Sequence, residues 1–479
     1  MAENTTRKSR KWLLIAGLAV ILLAAAAFAV WTWGTCTVTW NCPDGTAVAR
    51  RTVKGFAVSA PESPAAEGWT FVGWTDTDGN FLPAGGVKPR ENTAYTAVMM
   101  PALETEAHAA YLTLTDQGLF CPDDALTVAE GEAMLRRLIS VDWPEPFLAG
   151  NDGDPVTVRM LIGALASLYP AAETAPVIDD LAPDDADYAA FCTAVERGWL
   201  DAAPADDAGT LTLAWEPDDP VTRGAAAVLM NRVLERSRPD APEEAMTGVI
   251  PDVSPDHPLY AQIAEAVVEH TYEITEAGDE SWTSGEAIPR QEAGLVTIGG
   301  QMYCIGEDGY LVKNGTWGNF AFDKNGVYTS GMPELDVLVQ AVLAEICDDS
   351  MTQMEKLRAA YDYTVSSFTY LRRNYYDFRE TGWGEQEAYT MLSTGYGNCY
   401  CYAATFYELA RALGYDPVLI SGYVAQDRCP HGWVEIEQDG EMYVCDPELE
   451  MTYHRDRPDY IPDMFMMPYS KAQAWSYVR

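Results

Sequence analysis

The stretch that most constrains the fold is residues 395–403, where a glycine-rich approach leads directly into a helix that begins with a cysteine. Apolar residues recur at helical spacing between Ala403 and Leu413, and Gly414 is the residue type that commonly follows a helix. Cys399 therefore falls in the first turn, where free backbone N–H groups and the positive end of the helix dipole favour a thiolate. The stretch predicts a cysteine nucleophile, and the backbone N–H of Cys399 can serve an oxyanion.

Cys401 provides an internal comparison for this prediction. Two residues along a helix turn a side chain about 200° away, so Cys401 cannot share the direction of Cys399. A single cysteine is most often a small buried hydrophobic residue. We therefore expect Cys401 to point into packing.

A second feature is a predicted β-hairpin further along the chain. A strand-like run that starts at His431 is followed by the turn dipeptide Asp439-Gly440 and by a second run that ends at Asp446. A four-residue loop would place His431 directly opposite Asp446, and a two-residue loop would make them diagonal neighbours on the same face. A three-residue loop would put them on opposite faces. Two of the three registers therefore complete a Cys-His-Asp triad.

The same residues resemble the transglutaminase-like superfamily of papain-fold cysteine enzymes. The motifs that carry the resemblance stand in the family's order and spacing, and they are Gly397-Asn398-Cys399, Tyr402-Ala403, Gly414-Tyr415, Ser421-Gly422-Tyr423, His431-Gly432-Trp433 and Tyr443-Val444-Cys445-Asp446-Pro447. The resemblance covers residues 332–479 and implies an α+β, papain-like catalytic domain. It also implies that Cys399 is the nucleophile, that His431 is the base and acid, and that Asp446 orients the histidine.

The second oxyanion donor is less well defined. In some relatives an upstream aromatic residue supplies it, which here would be Trp383 or Tyr370, and the spacing does not choose between them. Trp383 lies within an aromatic stretch, residues 372–389, that is suited either to lining a substrate groove or to packing.

The composition describes a folded, very acidic chain of 479 residues with a formal net charge of −41. The length predicts three or more domains, and the acidity argues against nucleic acid or an anionic membrane surface as a direct ligand. The ten cysteines show no regular spacing, so we predict neither a disulfide framework nor a metal site, and no cofactor is implied.

The N-terminus predicts export. Residues 1–11 form a basic cytoplasmic tail, and residues 12–33 are an apolar run long enough to cross a hydrocarbon core of about 30 Å. We favour a single transmembrane anchor in the cell membrane, with the C-terminal bulk outside the cytoplasm. The alternative is a secreted protein, because Ala27-Phe28-Ala29 fits a signal-peptide cleavage site.

Two stretches predict small β modules. Residues 36–100 alternate and turn, and the run Gly68-Trp69-Thr70-Phe71-Val72-Gly73-Trp74 resembles the Listeria-Bacteroides repeat, a β-grasp-like spacer of bacterial surface proteins. Residues 294–331 hold short aromatic strands between glycine turns and resemble cell-wall-binding hairpin repeats. Because this stretch contains barely one and a half such units, we interpret it as a hairpin linker that leads into the catalytic domain.

Residues 105–293 repeat a helix, loop, helix theme that resembles S-layer homology repeats, which attach exported proteins to anionic wall polymers. Copies are visible around Thr127 and Thr222, and a third begins at Pro251 and fades. Only Arg223 keeps the cation that the family places at the second helix. The sequence leaves open whether the region is a degenerate helical spacer or a working clamp for a cell-wall polymer.

Taken together, the sequence predicts a bacterial, membrane-anchored or secreted multidomain protein with a cysteine-dependent acyl-transfer domain. Its partner would be a peptide or protein substrate, attacked at a peptide or glutamine amide, and we favour water as the acceptor. Protein cross-linking is the enzymatic alternative. The non-catalytic alternative is a surface adhesin with a vestigial triad.

Overall fold

The computed structural model describes residues 16, 18–25, 28, 34–82, 86–204, 210–236, 242–276, 278–348 and 350–479. The chain divides into two compact units. The first comprises residues 1–114, 120–248 and 255–287, and the second comprises residues 115–119, 249–254 and 288–479. Each unit combines helices with β-sheets, as expected for a multidomain α+β protein.

No helix within the described ranges is both long and apolar enough to cross a membrane. The predicted anchor at residues 12–33 lies mostly outside those ranges, as does the basic tail at residues 1–11. The membrane segment therefore stays a prediction.

The first unit opens with a four-stranded sheet of order β2-β1-β4-β3. Its core contains Val38, Trp40 and Trp74, with Phe71 packed against them, so these aromatic residues of the predicted β module form an ordinary core. The strands of the first unit are β1 (Thr35–Asn41), β2 (Ala47–Val53), β3 (Trp69–Thr75), β4 (Thr93–Pro101), β5 (Ala202–Pro204), β6 (Leu211–Leu213), β7 (His270–Ile274) and β8 (Glu280–Gly285).

Three helices of the first unit begin in the same way. Thr127, Thr157 and Thr222 are N-caps, and each threonine side chain accepts a hydrogen bond from the backbone N–H three residues on. The residue immediately before each of these threonines takes part in a closed ring of three backbone hydrogen bonds, each 2.8 Å long. The helices are α1 (Val128–Arg137), α2 (Val158–Ser167), α3 (Tyr188–Glu196), α4 (Arg223–Val233), α5 (Glu244–Thr247) and α6 (Tyr260–Val267).

This ring corrects the repeat pattern read from the sequence. Its three members are Leu126, Val156 and Val221. The third copy of the helix start is therefore at Val156 and Thr157, which the sequence reading missed, and the copy assigned to Pro251 is not part of the ring.

Arg223 lies inside the unit rather than on its surface. It is 5% exposed, its Nε donates to the carbonyl of Phe120 at 2.7 Å, and its Nη2 donates to the carbonyl of Thr113 at 2.6 Å. Its Nη1 pairs with Glu130. All of its nitrogen atoms are thus engaged within the protein, which favours the spacer interpretation at this position.

The second unit contains the remaining strands and helices. The strands are β9 (Gly294–Ile298), β10 (Gln301–Ile305), β11 (Gly315–Trp317), β12 (Phe320–Phe322), β13 (Tyr328–Thr329), β14 (Thr369–Tyr370), β15 (Tyr396–Gly397), β16 (Val418–Val424), β17 (Cys429–Gln438), β18 (Glu441–Cys445) and β19 (Met467–Pro468). The helices are α7 (Pro333–Ile346), α8 (Gln353–Ser366), α9 (Gly384–Thr394), α10 (Cys399–Ala412), α11 (Pro447–Asp456) and α12 (Tyr469–Ala472).

Helix α10 is the centre of this unit. Twelve of its 14 residues are buried, because α8, α9, α11 and strand β17 pack around it. The four-stranded sheet of order β16-β17-β18-β19 lies on one side. The predicted hairpin linker shares the same core, to which it contributes Met302, Cys304, Phe320 and Phe322.

Glu408 is an acidic residue on α10 that is only 1% exposed. Burial raises its pKa to about 8, although the charge of Arg411 acts in the opposite direction. The folded protein therefore holds a proton that the unfolded chain, with a carboxyl pKa of 4.5, has released. This contribution to stability is complete below pH 4.5 and is lost as the pH rises towards 8.

The free energy needed to open α10 should fall by on the order of 4 kcal/mol between pH 5 and pH 8, because Glu408 must stay protonated in the folded protein. Hydrogen–deuterium exchange of the α10 amides, corrected for intrinsic rates, measures it. Glu408→Gln should flatten the dependence, and an unchanged pH slope in that variant would show that another group is responsible.

Candidate active site

Two glycines set the approach to helix α10. Gly395 ends α9 in the left-handed region with φ of 78°, where a side chain would be strained. Gly397 has no room for a side chain, since an added Cβ would lie 2.4 Å from Cys401 Cβ and 2.6 Å from the sulfur of Met391. The chain can therefore enter α10 tightly packed against the end of α9.

Asn398 fixes the first turn of α10. It is fully buried, its Oδ1 accepts from the N–H of Cys401 at 3.4 Å, and its Nδ2 donates to the carbonyl of Asn374 at 2.6 Å. Cys399 is the first helical residue and is 3% exposed. The predicted position of Cys399 at a helix start is confirmed.

Strand β17 approaches the start of this helix at Gly432. A Cβ added to Gly432 would lie 2.8 Å from the ring of Tyr400 and 3.2 Å from its Cα. Only a glycine permits this close contact between strand and helix. It brings His431, the residue before Gly432, beside Cys399, the residue before Tyr400.

The hairpin has the two-residue loop. Gln438 pairs with Glu441, and the two loop residues, Asp439 and Gly440, have φ of 53° and 77° as a type I′ turn requires. His431 and Asp446 are thus diagonal neighbours on one face. The Nε2 of His431 lies 2.7 Å from the Oδ2 of Asp446.

The carboxylate of Asp446 is fully buried and is held by three partners. Besides His431, its Oδ2 accepts from the hydroxyl of Tyr477 at 2.7 Å. Its Oδ1 caps helix α11 by accepting from the N–H of Leu449 at 3.0 Å. The capping bond and the tyrosine hold the carboxylate in place while it orients the imidazole.

The imidazole of His431 links this carboxylate to the thiol. Burial on its own would lower the pKa of His431, but the charge and hydrogen bond of Asp446 and the hydrogen bond of Cys399 outweigh it and raise the pKa well above its usual value. Because Nε2 is engaged by Asp446, Nδ1 is the nitrogen that remains for the thiol. The arrangement therefore stabilises an imidazolium next to a sulfur atom.

Glu448 is a nearby residue that the sequence reading did not single out. Its Oε2 lies 3.8 Å from the Nδ1 of His431, and its Oε1 accepts from the hydroxyl of Thr452 at 2.8 Å. Burial raises the pKa of this carboxyl. With Asp446 and His431 it forms a group whose polar atoms lie within 4.8 Å of one another, although the direct bond between His431 and Asp446 already pairs two of the three.

The structure separates the two aromatic candidates for an oxyanion donor. The indole N–H of Trp383 donates to the carbonyl of Glu380 at 2.9 Å, and its ring stacks on Tyr376, so this side chain is engaged within the protein. Tyr370 pairs with Gly397 beside the start of α10. Burial raises the pKa of its phenol, and the charges of Cys399 and Glu448 raise it further, so its hydroxyl keeps its proton.

Cys401 points into packing, as predicted. It is fully buried with Met391 and Tyr402, and its thiol donates to the Oε2 of Glu387 at 2.7 Å. Burial raises the pKa of this thiol, and the hydrogen bond to Glu387 raises it further. Cys401 is therefore held as a neutral thiol.

We expect iodoacetamide at neutral pH to label Cys399 at least about tenfold faster than Cys401, since only Cys399 lies beside an imidazolium. Peptide mass spectrometry of the intact, folded chain measures both rates. His431→Ala should slow the labelling of Cys399 towards the rate of Cys401. Equal rates in the unmodified protein would mean that neither thiol is activated.

Residues 340–447 match the transglutaminase-like superfamily. The matched residues include Cys399, His431 and Asp446 and end at Pro447, the first residue of α11. A search of curated proteins finds no match for the chain.

The aromatic stretch at residues 372–389 has members that pack and members that are exposed to solvent. Tyr376 stacks on Trp383, with ring centroids 5.0 Å apart, and Tyr400 packs edge-on against both rings. In contrast, Tyr375 and Phe378 are exposed. The inner members support the start of α10, and the outer members face solvent.

Proposed function

We propose that the chain is a cysteine-dependent acyl-transfer enzyme that hydrolyses an amide in a peptide or protein, with Cys399, His431 and Asp446 as its triad. The single observation that carries the proposal is the 2.7 Å contact between His431 Nε2 and Asp446 Oδ2, and Cys399 lies near enough to the imidazole to help raise the pKa of His431. The match of the surrounding residues to the transglutaminase-like superfamily supports it.

The first half of the reaction forms a thioester. The sulfur of Cys399 attacks the amide carbonyl carbon, and the resulting oxyanion is stabilised by the backbone N–H of Cys399 and by the hydroxyl of Tyr370. The C–N bond then breaks as the imidazolium of His431 gives its proton to the departing amine. In the second half, His431 takes a proton from water, the hydroxide attacks the thioester, and the carboxylic acid and the thiol are released.

The surroundings of Cys399 favour a slender amide group. Cys399 and His431 are 3% and 4% exposed, whereas Leu371, Tyr375 and Tyr396 near the helix start are strongly exposed. A glutamine carboxamide at the end of an unbranched side chain can reach a nearly buried sulfur more easily than a main-chain bond between two side chains. The exposed apolar residues would then contact the peptide around that glutamine.

The test is an assay of ammonia release from a glutamine-containing peptide by the full chain, run with and without a primary amine. Hydrolysis yields glutamate at the expected position in mass spectra, and cross-linking yields an amine adduct. Glutamate without adduct supports the proposal. Predominant adduct would assign the enzyme as a cross-linking transglutaminase, and no turnover on glutamine or main-chain amides would favour a surface adhesin.

We further propose that the enzyme works outside the cytoplasm, displayed through residues 12–33. The support is the apolar run after a basic tail. Attachment of the helical region to a wall polymer is not part of the proposal, since Arg223 is engaged internally.

A further inference from the structure

Four buried side chains from separate parts of the first unit converge on one point. They are His108 in the segment before α1, Glu265 on α6, His270 on β7 and Glu280 on β8. Each is less than a tenth exposed, and Glu265 is only 1% exposed. Two imidazoles and two carboxylates in an interior position require an explanation, because buried charges are costly unless they are paired or bind a metal.

The spacing of their polar atoms is close to uniform. His108 Nδ1 lies 3.1 Å from His270 Nε2, 3.1 Å from Glu265 Oε1 and 3.2 Å from Glu280 Oε1. His270 Nε2 lies 3.3 Å from each of the two glutamate oxygens. Zinc in a tetrahedral site has ligands at about 2.0–2.1 Å, which places the ligand atoms about 3.3 Å from each other. The five distances are near this value.

The hydrogen bonds within the cluster leave one of its carboxylate oxygen atoms without a partner. Glu265 Oε1 is buried and has no hydrogen-bond partner, although it faces both imidazoles. His270 Nδ1 lies 2.9 Å from the carbonyl of Val268, to which it can donate, and this contact directs the Nε2 lone pair of a neutral imidazole into the cluster. Such a contact is typical of metal-binding histidines. A lone pair at His270 Nε2 would face two carboxylate oxygens unless a proton or a metal cation lay between them.

One protein cation lies close to the cluster. Arg236 is buried, its Nη1 donates to the carbonyl of Ala109 at 3.2 Å, and its Nη2 donates to Glu104 at 3.3 Å. Its Nη1 remains 3.7 Å from Glu265 Oε1, beyond a hydrogen bond. A divalent ion together with Arg236 would balance the carboxylates of Glu104, Glu265 and Glu280.

We propose that His108, Glu265, His270 and Glu280 form a structural Zn²⁺ site. Four protein ligands leave no open position, so the ion would hold structure and would not bind a substrate. It would tie the β7–β8 hairpin to α6 and to the segment around His108. The backbone of His108 has φ of 46°, a conformation uncommon for residues other than glycine and consistent with a position that is fixed by its side chain.

The test uses the full chain stripped with a chelator and titrated with ZnCl₂ by calorimetry, with metal content measured by mass spectrometry. We expect one ion per chain, bound with a Kd on the order of 1 μM or tighter, and a higher Tm with zinc. Cobalt substitution should give tetrahedral d–d bands without thiolate-to-cobalt charge transfer, because no cysteine is among the ligands.

Variants assign the ion to the cluster. Glu265→Gln and His270→Gln should each weaken binding on the order of 100-fold or more, whereas Glu269→Gln, which changes an exposed neighbour of His270, should not. His431→Ala should leave the stoichiometry at one, which separates this site from the group around Asp446.

Three results would overturn the site. They are absence of zinc binding by the folded chain, equal affinity in Glu265→Gln and Glu269→Gln, and loss of the ion in His431→Ala. If the ligand variants do not fold, X-ray absorption of the zinc-loaded wild type decides. Nitrogen and oxygen neighbours at about 2.0 Å support the site, and a sulfur shell at about 2.3 Å refutes it.

Discussion

Cys399→Ala is expected to lower turnover by a factor on the order of 10⁵ or more, because the sulfur forms the covalent bond to the substrate and the rest of the triad acts only through it. The side chain is small and buried, so alanine leaves the start of α10 intact. The ammonia-release assay measures the loss. In this background, His431→Ala should cause almost no further reduction, since the two residues act as a unit.

Cys401→Ser is the matched control for this variant. Serine retains a hydroxyl that can donate to Glu387 in place of the thiol, and Cys401 makes no contact with His431 among the described hydrogen bonds. Its turnover should stay close to that of the unmodified protein. Substantial activity in Cys399→Ala, or an equal loss in both variants, would remove Cys399 from the role of nucleophile.

Asp446→Asn is expected to lower turnover on the order of 10² or more. Asparagine is as good a helix N-cap as aspartate, so the bond to the N–H of Leu449 and the start of α11 should persist. The lost charge is what holds the pKa of His431 above its usual value. His431 should therefore lose its proton at lower pH in the variant.

The pH profile of kcat/KM separates this effect from general damage. In the unmodified protein the imidazolium is lost only as the pH rises through the raised pKa of His431, so the alkaline limb should move to lower pH in Asp446→Asn. Tyr477→Phe removes one hydrogen-bond donor to the Asp446 carboxylate but leaves the charge of that carboxylate unchanged. Turnover in this variant should therefore fall by about tenfold or less. An Asp446→Asn profile identical to wild type would point to Glu448 as the carboxylate that acts on His431.

The proximity of His431 and Asp446 was predictable because the sequence patterns that determine it are local. A helix start, a turn dipeptide and the alternation of a strand are short-range patterns, and they limited the relation between His431 and Asp446 to three registers. The choice among these registers needed the turn conformation, which the sequence Asp439-Gly440 permits but does not impose. Contact between His431 and Cys399 depended on a close approach at Gly432, which is a property of tertiary packing.

Other features lay beyond sequence reasoning. The pair Trp383 and Tyr370 could not be separated, because hydrogen bonding of the indole to a nearby carbonyl leaves no pattern in the sequence. The proposed zinc ligands lie at positions 108, 265, 270 and 280, a spacing that matches no compact metal motif. The prediction that the chain has no metal site rested on cysteine spacing alone, and it conflicts with the site proposed above.

The bond between Tyr477 and Asp446 joins two residues that the ribosome adds at different times. The tyrosine follows the aspartate by 31 residues in the chain. At a synthesis rate of about 5–20 residues per second, a ribosome needs about 2–6 s to add them. During that interval the nucleophile, the imidazole and the carboxylate have all been synthesised, but the carboxylate still lacks its hydroxyl partner. A nascent chain therefore completes the hydrogen bonding of the Asp446 carboxylate only after Tyr477 has been added.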